Sequence, residues 1–367
     1  MPFMNSSAMD SRRRLVLDVN EEGLSLSEAC RRAGVTRKTG LKWVRRAQDS
    51  ALGELAELSR APKSVSNRTP SSVEDKVLAL KDRYPDWAGR KLSPLLETET
   101  GIVVPSRTVD RILQRHGRTR PAPVRQTEPI RFERTASGLL LQMDFKGLPK
   151  SVPYALLTVL DDHSRFCVNF SPVKDKTGLS VQTALWNLFG EHGLPESMLM
   201  DNGDCWGATQ SSCPTRFEAW LMRLGIKPIH GRPMHPQTQG KVERFHLTAK
   251  TELAERLVQP CAKDVIPHCR EFVKRYNWVR PHDALGGKVP ASAYRVSERK
   301  RPDKMPEHIP AEGAVSRKVD ANGFFHYQGQ EIKIGKGLIG ERIVIQEAEL
   351  GPRVFYARFP LSYLSEL

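Results

Sequence analysis

Asp144, Asp201, Glu243 and Lys250 are the side chains of this sequence best suited to chemistry. The two aspartates lie in or at the end of apolar runs, LLLQMDF and SMLMDNG, and the glutamate opens the helix-like segment TQGKVERFHLTAK. Three carboxylates drawn together from separate elements repel one another unless cations neutralise them. The economical solution is a pair of divalent ions held by oxygen ligands, the arrangement that breaks and joins phosphodiester bonds. Glu243 and Lys250 are seven residues apart, so on a helix they share a face at a spacing of about 10.5 Å along the axis. The carboxylate then serves a metal and the ammonium a phosphate.

These groups need a scaffold. Asp144 is the only charged side chain between Leu139 and Phe145, and an unpaired buried carboxylate costs several kcal/mol, so it is either exposed at a site or paired. Asp201 precedes Asn202 and Gly203 at a strand end, where a plain turn aspartate is the alternative. Val242, Phe245 and Ala249 form the inner face of the Glu243 helix. Asp161 and Asp162, beside His163, Ser164 and Arg165, compete for the first carboxylate, but their place in a strand-to-strand turn assigns them structural duty. His235 is left open between substrate contact and a helix-approach role. Strands are expected at 139–146, 153–161, 165–172, 197–201 and 226–229, with helices at 178–191, 214–224, 238–258 and 264–278. Three hairpin-linked strands followed by alternating helices and strands imply an α/β core over 136–300, a mixed five-stranded sheet covered on both faces.

Ahead of this core, residues 1–50 read as a helix-turn-helix. A first helix covers 11–21; a second puts Leu26, Ala29, Cys30 and Ala33 on one face and stops at Gly34. Thr36 caps a third helix with Trp43 and Val44 inward and Arg37, Lys38, Lys42, Arg45 and Arg46 outward, the apolar back and cationic front of a major-groove reader. Residues 68–117 repeat the theme. Ser71 and Glu74 carry a capping-box signature, a helix follows at 89–99 with Pro94 in its first turn or at a kink, and Ser106 caps a helix presenting Arg107, Arg111 and Arg115. Residues 118–135 are a basic, proline-containing linker, and the strand-like runs of 314–367 suggest a small β-barrel.

The chain has 367 residues, 39% hydrophobic and 27% charged, with a net charge of +15, which fits a globular protein with a polyanionic partner. Basic against acidic side chains number 26 to 17 over 1–135, 22 to 16 over 136–300 and 9 to 9 beyond, so DNA contact is expected in the first two thirds. No apolar run approaches a membrane span, and the start MPFMNSSAMD lacks a secretory pattern; a cytoplasmic, nucleoid-associated location is expected, with no membrane partner and no small-molecule cofactor. The six cysteines lack zinc-knuckle spacing and are assigned to packing as reduced thiols.

The order Asp144, Asp201-Asn202-Gly203, HPQTQGKVERFH (235–246) with Glu243 and Lys250, then Tyr276-Asn277, Arg280-Pro281-His282 and Leu285, resembles bacterial insertion-sequence transposases of the retroviral-integrase (DDE) superfamily. LDDHSRF (160–166) resembles that family's turn between its second and third strands. The resemblance implies an RNase H-like core, catalysis by Asp144, Asp201 and Glu243 on two Mg²⁺ with Mn²⁺ as a substitute, and DNA cutting followed by strand transfer. It implies terminal inverted repeats and target DNA as partners of a homo-oligomer. Lys241, Arg244 and Lys250 join the helix-turn-helix cations as expected DNA contacts. Two departures stand out. The 41 residues between Asp201 and Glu243 exceed the family's usual spacing, the excess falling in CWGATQSSCPT (205–215), and His116 is the one histidine before residue 136, so a zinc-binding amino-terminal domain is missing. The rival expectations are an RNase H-like nuclease without strand transfer and a DNA-binding regulator derived from an inactive transposase.

Overall fold

A computed structural model describes residues 8–49, 55, 68–119, 133–149, 151–201, 203, 206, 213–231 and 240–366. His235, Asn202 and most of the 118–135 linker lie outside the described residues. The chain divides into two units, Met1–Thr69 and Pro70–Leu367.

The first unit holds α1 (Ala8–Asn20), α2 (Leu26–Arg32) and α3 (Arg37–Asp49). Ser25 Oγ caps α2 by accepting from the Glu28 amide at 3.3 Å, and Thr36 Oγ1 caps α3 by accepting from the Thr39 amide at 3.3 Å, each satisfying an amide that the first turn leaves without a helical partner. Leu15, Cys30 and Val44 form one buried group and Val16, Trp43 and Leu55 another. Gly40 lets α3 approach α2: a Cβ there would stand 2.1 Å from Cys30 Sγ. Any larger residue would wedge the two helices apart.

The second unit begins with α4 (Ser71–Arg83), α5 (Gly89–Thr100) and α6 (Ser106–Arg115) around Trp87, Leu92, Leu96 and Ile112. The expected serine caps do not form. Pro70 and Pro105 occupy the cap positions and Ser71 and Ser106 are already helical, without side-chain cap bonds. A proline there presets the backbone, and Glu74 is drawn inward, away from the helix start. Pro94 lies inside α5, its sixth residue, rather than in the first turn.

The core is a five-stranded sheet of β1 (Leu141–Lys146), β2 (Ala155–Asp161), β3 (Cys167–Val173), β4 (Ser197–Met200) and β5 (Lys227–His230), in the order β3-β2-β1-β4-β5. The β1–β2 and β2–β3 pairs are antiparallel; β1–β4 and β4–β5 are parallel. Side chains alternate across β2: Leu157 and Val159 join α7 (Gly178–His192) and α8 (Arg216–Arg223) on one face, while Leu156 and Leu160 join α9 (Gly240–Leu253) and α10 (Ala262–Trp278) on the other. Phe245 and Phe272 are fully buried in the second layer, each stabilising it by roughly 1.5–3 kcal/mol. The topology is that of the expected RNase H-like core.

The tail is β-rich, as expected. Its strands β6 (Val315–Lys318), β9 (Arg342–Ala348), β10 (Gly351–Tyr356) and β11 (Phe359–Tyr363) make one sheet, and β7 (Phe324–Tyr327) pairs with β8 (Gln330–Lys333) in another, rather than all closing into a single hydrogen-bonded ring. Phe325, Leu338 and Ile343 of the tail pack on Ala219 and Met222 of α8. Among the described residues no helix is long and apolar enough to cross a membrane.

Candidate active site

The parallel register pairs Leu141 with Met198 and Gln142 with Leu199, so continuing both chains by two residues sets Asp144 beside Asp201. Helix α9 packs over β1 and β2 and carries Glu243 and Lys250. The three carboxylates therefore come from within β1, from just past the end of the neighbouring β4, and from the helix above them. Asp144 is half-buried. Burial, chiefly, pushes its carboxyl up to about 6; the Phe145 amide opposes this through a 2.7 Å hydrogen bond, the charges of Asp201 and Glu243 add to the rise, and Lys176 opposes it. Asp201 and Glu243 are thus both close enough to raise the proton affinity of Asp144. Among the described residues no three His, Cys, Asp or Glu side chains close into a ready-made ion cage. The donor set itself, three carboxylates with no thiolate, suits a hard divalent cation such as Mg²⁺.

Each carboxylate has a different support. Asp201 Oδ1 accepts from the Gly203 amide at 3.0 Å and from Trp206 Nε1, while Oδ2 has no protein donor among the described residues. Trp206 is buried, stacked on Phe145 at 5.2 Å. Its carbonyl accepts from Thr215 Oγ1 at 2.9 Å, and Thr215 forms a reciprocal capping box with Glu218 at the start of α8. Glu218 Oε1 lies 2.7 Å from His230 Nε2, and His230 Nδ1 lies 3.1 Å from the Asp201 carbonyl, closing a ring of contacts around the second aspartate. Both His230 nitrogens face oxygen acceptors. Burial alone would lower the His230 pKa, yet the Glu218 and Asp201 bonds hold it above its ordinary value.

His246 and Lys146 are site residues that sequence reasoning missed. His246 Nδ1 stands 3.8 Å from Asp144 Oδ2, and its Nε2 is 2.8 Å from Thr158 Oγ1, the register partner of Asp144. Burial and then the Lys146 charge push His246 down to about 4, so it is neutral at pH 7 and adds no charge. Lys146 follows Asp144 by two residues on the same strand face, and burial with the nearby Lys250 charge lowers its pKa. That period of two was the available signal. For His246 the signal was its place one helical turn after Glu243, since its partner Thr158 lies 88 residues away.

Asp161 and Asp162 have the structural role expected. Asp161 accepts from Ser164 N at 2.8 Å and Gly138 N at 2.9 Å; Asp162 accepts from Arg134 N and Gln142 Nε2, both at 2.7 Å. Asp162 also takes Lys241, an expected DNA contact, into an ion pair: a fully buried carboxylate needs that ammonium. Arg115 is likewise paired, at 2.6 Å with buried Glu74, which His116 also approaches at 3.0 Å. Arg107, Arg111, Arg244 and Lys250 are exposed, as are Arg37, Lys38, Lys42 and Arg45; Arg46 is half-buried. Lys42 and Arg46 lie over the Trp43 ring at 4.5 and 5.2 Å. Tyr276 and Asn277 serve packing, Asn277 exchanging two hydrogen bonds with the Cys167 backbone at 2.8 and 2.9 Å. A broad cleft along β3 between α7 and α10 does not include the three carboxylates.

Residues 134–236 and 224–290 each match a family model described as an integrase core domain, and residues 39–113 match one described as a homeodomain-like domain. Among curated proteins, the Gag-Pro-Pol polyprotein of Mason-Pfizer monkey virus is 40% identical over 78 residues, covering 21% of this chain and 4% of that one. Transposase InsD for insertion element IS2A/D/F/H/I/K of Escherichia coli is 28% identical over 101 residues, 28% of this chain and 32% of InsD. The chain thus spans a small part of the polyprotein and about a third of the transposase. A solved HTLV-2 integrase catalytic core domain in complex with magnesium, 19% identical, covers 44% of this chain and 99% of that one with a TM-score of 0.35.

Proposed function

We propose that this chain, which carries an integrase core behind helix-turn-helix units and is related to insertion-sequence transposases, cuts the ends of such an element and joins them to target DNA. What supports this reading is Asp144 on β1, Asp201 beside it just past β4 and Glu243 on the overlying α9, with the charges of the last two raising the proton affinity of the first. Asp144, Asp201 and Glu243 would hold the divalent ions. When bound, such ions supply Lewis acidity at the scissile phosphate and an activated oxygen nucleophile at neutral pH.

The chain's own residues do the rest. The Trp206 and Gly203 N–H groups fix Asp201 Oδ1 and turn Oδ2 outward. Neutral His246 braces Asp144 from α9 without cancelling its charge. Lys146, Lys176 and Lys250 ring the carboxylates with cations suited to the flanking phosphates. The first attack is by water and the second by the freed 3′-OH in the same position, so no covalent protein–DNA intermediate is required. The cations of α3 and the exposed Arg107 and Arg111 of α6 bind the terminal inverted repeats, with side chains on phosphates and base edges. Two ends must be cut and joined together, which calls for a homo-oligomer on DNA.

Glu243→Gln is the test: Mg²⁺-dependent nicking of an end-bearing duplex should disappear while end binding persists. Nicking retained by this variant would overturn the assignment. Precut ends then separate a transposase, which joins them to a second duplex, from a nuclease, which does not.

A further inference from the structure

Where α5 meets the end of the core, cationic groups gather without enough counter-charge. Arg90 reaches Asp283 at 3.7 Å, and Pro94 lies 3.8 Å from where a Cβ on Gly287 would be, so α5 and the 279–287 segment are in contact. Glu252 of α9 is the carboxylate inside this junction, and it is saturated: Trp87 Nε1 donates to it at 3.3 Å, Arg275 at 2.8 and 3.2 Å, and Arg280 closes the set. Lys91 and Arg244 stand close by, and neither side chain has a hydrogen bond or ion pair among the described residues. Arg280 Nε and His282 Nε2 are buried with no hydrogen-bond partner among the described residues. Five cations, Arg90, Lys91, Arg244, Arg275 and Arg280, thus face three acids, Glu252 and the more exposed Asp283 and Glu271. Burial, then the Arg280 charge, brings the Lys91 ammonium down to about 7, as befits a cation short of its counter-ion.

We propose that Lys91, Arg244, Arg280 and His282 form a binding site for a phosphodiester group of a DNA strand. A phosphate fits the gap because it supplies a single negative charge and several acceptors to donors that now have none. Arg244 follows Glu243 on α9, and Glu252 lies about two and a half turns further along, so this site and the catalytic glutamate share one helix. The site would anchor the strand between the second helical group and the point of cutting. That this strand is a transposon end rests on the function proposed above.

The test uses the full chain with Lys91→Ala and Lys91→Arg, and an end-bearing duplex followed by fluorescence anisotropy across a range of KCl. Lys91→Ala should bind about tenfold more weakly, with a salt slope shallower by about one, and Lys91→Arg should restore both. In the unsubstituted protein, amine acetylation read by mass spectrometry should mark Lys91 strongly near pH 7, and the duplex should protect it. This arm needs no variant to fold. Unchanged binding with equal labelling in the presence and absence of DNA overturns the site. Protection by inorganic phosphate at the same phosphate concentration also overturns it, in favour of a free anion. Metal-dependent end cutting by a protein that fails both arms leaves the transposase reading standing. Protection without any end cutting supports the site and removes that reading.

Discussion

Replacing Trp206 with phenylalanine isolates one hydrogen bond to the second carboxylate. The indole N–H donates to Asp201 Oδ1 and shares that oxygen with the Gly203 amide. Phenylalanine keeps an aromatic ring against Phe145, at 5.2 Å in the native stack, and against Phe217, at 5.7 Å. It deletes the donor. A hydrogen bond to a charged group contributes roughly 1.5–3 kcal/mol, and losing a group that orients a metal ligand costs about 10–100-fold in metal affinity. Since each tenfold is about 1.4 kcal/mol, the two magnitudes agree. The half-saturating Mg²⁺ for nicking should therefore rise by about one to two decades. Ca²⁺ affinity, measured by calorimetry on the DNA-bound protein, should fall in parallel. The smaller ring lowers fold stability by about 1–2 kcal/mol, which thermal melting reports separately. An unchanged metal requirement in a variant that melts earlier would show that the N–H serves packing alone, and that Asp201 owes its orientation to other contacts.

Three further outcomes follow from the same geometry. Folding holds the Asp144 carboxyl at about 6 against an ordinary 3.8, so the folded state prefers it neutral and the metal-free protein loses stability as pH rises through that window. Asp144→Asn should match the unsubstituted protein near pH 4 and exceed it by at most roughly 3 kcal/mol above pH 6 in chelator, read by denaturant titration; no gap at pH 8 would refute the strain. Glu252→Gln leaves Arg280 without its charge partner in a site where both side chains are largely buried, 8% and 12% exposed, and should cost about 3 kcal/mol; a loss under half of that contradicts the hub. Lys38→Ala and Arg45→Ala should each make the salt dependence of end binding shallower by about one if their side chains meet phosphates, and an unaltered slope would remove α3 from the interface.

Much of this architecture was written in local pattern. The five strands and four core helices follow apolar and helical runs because their apolar side chains must be buried, on both faces in the case of β2, Leu156 and Leu160 to one side and Leu157 and Val159 to the other. Asp144 was conspicuous as a lone charge in an apolar run and Asp201 as a strand end. What local pattern did not carry was pairing across distance. Arg115 and Lys241 look like free surface cations on a helical wheel, but Glu74 and Asp162 are buried and claim them from 41 and 79 residues away. Trp206 reads as core until its N–H is seen on Asp201. The serine caps failed for a local reason, a preceding proline that occupies the cap position itself.

The neutral tail also gains a physical role through α8. Gly337 brings the tail so close to the start of that helix that a Cβ would stand 2.0 Å from the Pro214 carbonyl, and Arg223 of α8 pairs with Glu341 at 3.2 Å. The start of α8 supplies Thr215 and Glu218, which hold the Trp206 carbonyl and the His230 ring. Those two residues are in turn the ones that grip Asp201, by its side chain and by its carbonyl. A carboxylate that must accept a metal with one oxygen has to be held by its other oxygen and its backbone, and a loop alone orders neither well. Trp206 and His230 meet that need through the start of α8, and α8 is packed on its outer side by Phe325, Leu338 and Ile343. The tail therefore belongs to the support of the second aspartate, whatever else its outer surface contacts.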